Sequence, residues 1–187
     1  MSGSLSLAWT LSALIAGQSL VSGLPSEMKT VLAAEVRLEG ASVLVDNRSE
    51  AVWRRCRVTL NDRYRQAIDE IAAGTPKALP LAAFTDGGGA AFQAELEPVY
   101  DLFIDCRWAP EVRGIALFQA PDRARLMVVE AQQLLARQGY DPGPPDGQLG
   151  PRTQAAIRDF QEAGGYDPSG QVDTTLLNAL REGAAGN

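Results

Sequence analysis

The sequence predicts an α+β chain organised by segments, a small β-sandwich-like domain followed by a three-helix bundle. Three observations carry this expectation. The tetrapeptide Gly-Tyr-Asp-Pro occurs twice in the last third, at 139–142 and 165–168. Apolar residues around it recur at helical spacing, whereas residues 31–119 form short apolar or alternating runs separated by turn-forming residues. A chain of 187 residues that is 45% apolar holds two small domains, each with its own core. The expected boundaries are an N-terminal segment over 1–30, a β-rich domain over 31–119 and a helical domain over 121–183, with Pro121 in the connecting stretch.

Residues 5–21 are apolar and rich in small side chains, and no charged residue precedes Glu27. This stretch resembles the hydrophobic core of a secretory signal, with Val21, Ser22 and Gly23 as a small-residue cleavage site. Because residues 1–4 contain no Lys or Arg, a retained membrane anchor and a packed helix stay open beside cleavage. Ser, Thr and Gln interrupt the stretch, which disfavours a stable transmembrane helix. The expected location is therefore outside the cytoplasm, in a periplasm.

Within the β-rich domain the expected strands are 43–45, 52–60, 78–81, 100–106 and 115–118, broken at Asp46 and Asn47, at Asn61 and Asp62, at 74–76 and at 86–89. Tyr64, Ala67, Ile68 and Ile71 also fit a helical face, so 64–73 predicts either a strand or one short helix. Alternation places Cys56 with Val58 and Leu60, and Cys106 with Leu102 and Ile104, so both sulfurs point into the core. They either pair or remain separate core thiols. Pairing in an exported protein would close a loop of about 50 residues, a gain of roughly 4 kcal/mol in the chain-entropy model. Arg54, Arg55, Arg57, Arg63 and Arg65 concentrate positive charge. Arg55 and Arg57 alternate with Cys56, Val58 and Leu60, as a solvated strand face does.

In the last third, Met127, Ala131, Leu134, Leu135 and Gln138 put one stripe on a helix over 123–138, which Gly139 ends. Pro151 directly after Gly150 starts a second helix, whose buried face is Thr153, Ala156, Ile157 and Phe160. Gly164 and Gly165 close it. A third helix over 173–181 buries Leu176, Leu177 and Leu180. Together they make a bundle of roughly 60 residues, within the size range that folds alone.

The ordered series Gln132, Leu135, Gly139, Tyr140, Asp146, Gly147, Gly150, Thr153, Ala156, Phe160, Gln161 and Gly170 resembles the three-helix peptidoglycan-binding domain family of bacterial cell-wall proteins. One departure is Leu176, where many members carry Thr; a Leu can pack there. The resemblance implies a non-catalytic cell-envelope protein whose C-terminal domain binds peptidoglycan. Several of these residues suit structural roles. Asp146 can accept backbone N–H groups of its own turn, Gly147 and Gly150 can supply unusual backbone angles, and Phe160 is core. Wall contact then falls to exposed groups near the turns, for which Tyr140, Gln148, Arg152 and Tyr166 are the candidates. A tyrosine ring suits a sugar face, and amide or guanidinium groups suit stem-peptide carboxylates. The β domain is expected to offer a second surface to another envelope protein. The alternative is a scaffold module that keeps the bundle and recognises a protein instead.

The net charge is −6, and acidic residues outnumber basic ones in both halves, so a nucleic-acid partner is not expected. The absence of histidine removes the imidazole of Ser-His-Asp and Cys-His enzymes and the usual nitrogen ligand of catalytic zinc. Glu95, Glu97, Asp101 and Asp105 offer the carboxylates a glycosidase needs, but they lie in short strand-like segments and read as turn and surface residues. Gly87, Gly88 and Gly89 lack the following Lys-Ser/Thr of a phosphate loop and read as a turn. Binding without catalysis, cofactor or metal is the expectation.

Overall fold

The computed structural model describes residues 11–12, 28–94, 97–109 and 112–185. The chain divides into two compact units, one of residues 1–94 and 101–120, the other of residues 95–100 and 121–187. The strands lie in the first unit and the three long helices in the second, an α+β chain. The strands are β1 (Leu11–Ser12), β2 (Met28–Val31), β3 (Ala34–Glu39), β4 (Ser42–Asn47), β5 (Trp53–Leu60), β6 (Tyr64–Ile71), β7 (Lys77–Pro80), β8 (Asp101–Ala109) and β9 (Val112–Gln119). The helices are α1 (Arg123–Arg137), α2 (Pro151–Ala163) and α3 (Thr174–Ala185).

The strands form two sheets, one in the order β1-β3-β4-β7 and the other in the order β2-β9-β8-β5-β6. Every pairing is antiparallel except β2 with β9. Of the stretch expected to be an export signal, only Leu11 and Ser12 are among the described residues, paired with Val36 and Glu35. Glu95 also lies outside them.

Along β5 Arg55 and Arg57 are exposed and alternate with buried Cys56, Val58 and Leu60 as expected, and the alternation is interrupted only just before them. Trp53 and Cys56 are both buried while Arg54 and Arg55 between them are both exposed. The cause is a β-bulge at this place, with Arg55 at a φ of 49°. Beyond it, Cys56, Val58 and Leu60 face inward, and Cys56 is disulfide-bonded to Cys106 of β8. Two of the five clustered arginines are paired, Arg54 with Glu70 at 3.3 Å and Arg63 with Asp86 at 2.7 Å, so the positive surface is partly neutralised. Arg63, together with the backbone amides of Ala90 and Gly88, holds the Asp86 carboxyl below its ordinary pKa.

Asp46 and Asn47 do not break the chain. Both are buried and belong to β4, which ends at Asn47. The turn chemistry of Asn47 acts on the residues after it: Nδ2 donates to the carbonyls of Ala51 (2.8 Å) and Ile71 (3.1 Å), and Oδ1 accepts the Ser49 amide (3.0 Å). Over 64–73 the strand wins. Tyr64, Ile68 and Ile71 are buried, but the backbone is satisfied by a ladder to β5, which a helix would forgo. Asn61 and Asp62 both take positive φ in the turn between β5 and β6, the backbone a tight hairpin requires. The strand expected from residue 100 begins one residue later, and Tyr100 belongs to the helical unit.

Candidate functional site

In the helical unit the repeated tetrapeptide performs the same structural task twice. Gly139 and Gly165, at φ of 86° and 72°, each terminate a helix. The Gly139 amide donates to Ala136 O and the Tyr140 amide to Leu135 O; the Gly165 amide donates to Glu162 O and the Tyr166 amide to Gln161 O. These are two Schellman caps, and only glycine enters that backbone region without a side-chain penalty.

A buried glutamine then clasps the turn that follows each cap. Gln132 of α1 accepts the Gly147 amide on Oε1 at 3.0 Å, and its Nε2 reaches Asp146 Oδ1 at 3.2 Å and Thr153 Oγ1 at 3.1 Å. Gln161 of α2 accepts the Gly170 amide on Oε1 at 2.9 Å and donates to Ser169 Oγ at 3.0 Å. Asp146 Oδ1 accepts the Gln148 amide, and Ser169 Oγ accepts the Gln171 amide, so the two turns match atom for atom. Relative to the tetrapeptide, Gly143, Pro144 and Pro145 insert three residues in the first copy, and Gln132 sits three residues earlier than Gln161 does. Three residues are about one helical turn, so the glutamine keeps its face and moves along the axis to meet the displaced turn.

Asp146 therefore has a structural role. The Gln148 amide first, then the Gln132 side chain, hold its carboxyl below the usual range. Gly147 lies against α1: a Cβ there would stand 2.5 Å from Arg125 Cγ and 3.0 Å from its carbonyl oxygen. Thr153 donates to Pro142 O at 2.9 Å, and Gly150, in extended backbone rather than an unusual conformation, precedes Pro151 at the helix start.

A buried ionic contact joins α1 and α3. Arg181 of α3 donates to Glu130 of α1 through Nε at 2.7 Å and to the Tyr100 hydroxyl at 2.9 Å. Glu97 Oε2 is 3.9 Å from Arg181 Nε, and Arg123 lies over the Tyr100 ring. Burial pushes the Glu130 and Tyr100 pKa values up, against the pull of the guanidinium. Sequence reading did not single out Glu130, Arg181 or Tyr100. Glu130 sits between apolar neighbours on a helix, and its partner lies 51 residues away.

The four residues expected to contact the wall separate. Tyr140 is half-buried, its ring edge-on to Phe160 at 5.8 Å. Gln148 is exposed on the first turn, where its carbonyl accepts Gln132 Nε2. Arg152 is exposed, and its guanidinium is bound by Asp141. Tyr166 is 49% exposed, stacked on Phe160 at 6.4 Å with planes inclined by 22°. Its ring also covers Gly164, where a Cβ would stand 2.5 Å from Tyr166 Cε2. Gly164 has φ −87°, so this close approach, not backbone strain, accounts for glycine there. Tyr166 lines a groove of about 310 Å3 together with Phe160, Asp167, Ser169, Asp173, Thr175 and Leu176 among others, and the other three candidates are not part of that lining. Asp173 caps α3 through Oδ1 to the Leu176 amide at 2.7 Å.

Residues 125–180 match the family model described as a putative peptidoglycan binding domain. The match lies within the C-terminal unit and covers the helices and clasped turns whose sequence resembles that family. No curated protein and no solved structure matches the chain. Among the described residues no cluster of His, Cys, Asp and Glu is arranged to hold a metal ion, and no helix is long and apolar enough to cross a membrane.

Proposed function

We propose that this chain is a non-catalytic, exported envelope protein that adsorbs to peptidoglycan through the helical unit, and that the β unit, a small sandwich, presents a second surface to another envelope protein. The observation that carries this reading is the family match over 125–180, in a unit whose clasped turns hold an aromatic ring at the surface beside a groove. The wall repeats one motif many times, so a weak site still localises the protein while letting it exchange between positions. Sedimentation of the full chain with insoluble sacculi tests this. Retention without release of soluble muropeptides is expected. A chain that stays in the supernatant would instead favour a scaffold that recognises protein. Export implies an oxidising compartment, so alkylation of periplasmic protein under denaturing, non-reducing conditions should label neither Cys56 nor Cys106. Quantitative labelling of both would count against export.

A further inference from the structure

We infer that the groove beside Tyr166 takes the free primary ammonium of a stem-peptide diamino acid, with its aliphatic chain along the tyrosine ring. This assignment rests on the peptidoglycan reading and names the moiety bound. Tyr166 is already fixed on its inner face by Phe160 and Gly164, so little side-chain freedom is lost when a ligand covers its outer face. Leu176 and Ala179 add apolar wall, which suits methylene groups. The polar lining is Asp167, Asp173, Ser169 and Thr175 with Gln161, and no Lys or Arg lines it. Such a groove repels a carboxylate and attracts a cation, which the tyrosine face also favours. Arg152, the cation expected to meet stem-peptide carboxylates, is held by Asp141 and lies outside the lining.

The experiment compares retention of the full-length chain on intact sacculi and on sacculi whose free amino groups have been acetylated with acetic anhydride. The wild type should bind the acetylated wall about tenfold more weakly, the ratio one charge-assisted contact supplies. Asp167→Asn/Asp173→Asn should no longer distinguish the two walls. Asn at 173 still offers an oxygen to cap α3, so the fold is kept. Asp159→Asn/Glu162→Gln removes two charges from α2 outside the groove lining, and should discriminate as the wild type does. Gly164→Ala should weaken retention severalfold through displacement of the Tyr166 ring, with the helical circular-dichroism spectrum at the assay temperature unchanged. Equal wild-type retention on both walls, or undiminished discrimination by Asp167→Asn/Asp173→Asn, overturns the groove assignment and leaves peptidoglycan binding standing. No retention on either wall overturns both.

Discussion

The two clasped turns of the helical unit share one design and differ in what they leave exposed. In the first, Gln132 joins Asp146, Gly147, Gln148 and Thr153, the turn lies flat on α1, and the nearby Arg152 is occupied by Asp141. In the second, Gln161 makes two contacts, a serine replaces the aspartate, and the tyrosine after the cap is held flat over a glycine beside a groove. Repetition of a motif therefore does not duplicate a site. One copy spends its polar groups holding helices together, and the other, with fewer internal obligations, is the better placed to meet a ligand.

Both copies depend on α1 and α3 staying together, so the largest effect should come from Arg181→Ala. It strands Glu130 without its guanidinium, and removing one partner of such a pair costs about 3–5 kcal/mol. Hydrogen exchange should then quicken at the Gly147 and Gly170 amides alike. Burial already raises the Glu130 pKa, and loss of Arg181 raises it further. A group raised in the folded state stabilises most below its unfolded value, near 4.3, and loses that contribution as pH rises through the folded value. The deficit of Arg181→Ala should accordingly shrink between pH 7 and pH 5. A deficit independent of pH over that range would mean that Glu130 is solvated in the variant.

The next effect separates the copies. Gln132→Ala leaves the Gly147 amide and the oxygens of Asp146, Gln148 and Thr153 without their shared partner, a loss of about 2–3 kcal/mol. Gln161→Ala orphans the Gly170 amide and should cost about 1–2 kcal/mol. Hydrogen exchange at the turn amides should show that order, with each substitution opening its own turn first. The reverse order would refute the claim that the first copy is the structural one.

What the sequence made legible follows from range. The helices and their ends could be read because apolar spacing, Pro151 and the Gly-Tyr caps act over one or two turns. Strands were legible where turns flanked them, less so at Asn47, which belongs to its strand and whose amide turns the chain after it. The bulge at Arg55 escaped notice because two exposed arginines in succession have no periodic signature. Within the candidate site, Tyr166 was visible as an aromatic near a turn, but its separation from Tyr140 and Arg152 depends on contacts with Phe160, Gly164 and Asp141 that no spacing encodes. Tyr100 reads as the first residue of a strand, because its hydroxyl contact with Arg181 and the Arg123 guanidinium over its ring come from residues far along the chain.

The smallest expected effect is also the most selective. Asp146 closes the first turn as a carboxylate, whereas Ser169 closes the second with a hydroxyl that does not titrate in this range. The folded-state pKa of Asp146 is depressed, so its contribution is fully present above the unfolded value, near 3.9, and is lost as pH falls through the folded value. Corrected for the intrinsic pH dependence of exchange, protection of the Gly147 amide should therefore drop below about pH 4 while that of Gly170 holds. Asp146→Asn keeps an acceptor for the Gln148 amide and should flatten the pH response of Gly147 without opening the turn at neutral pH. Should both amides lose protection together in acid, the two turns are one cooperative element, and the division of labour between them does not hold.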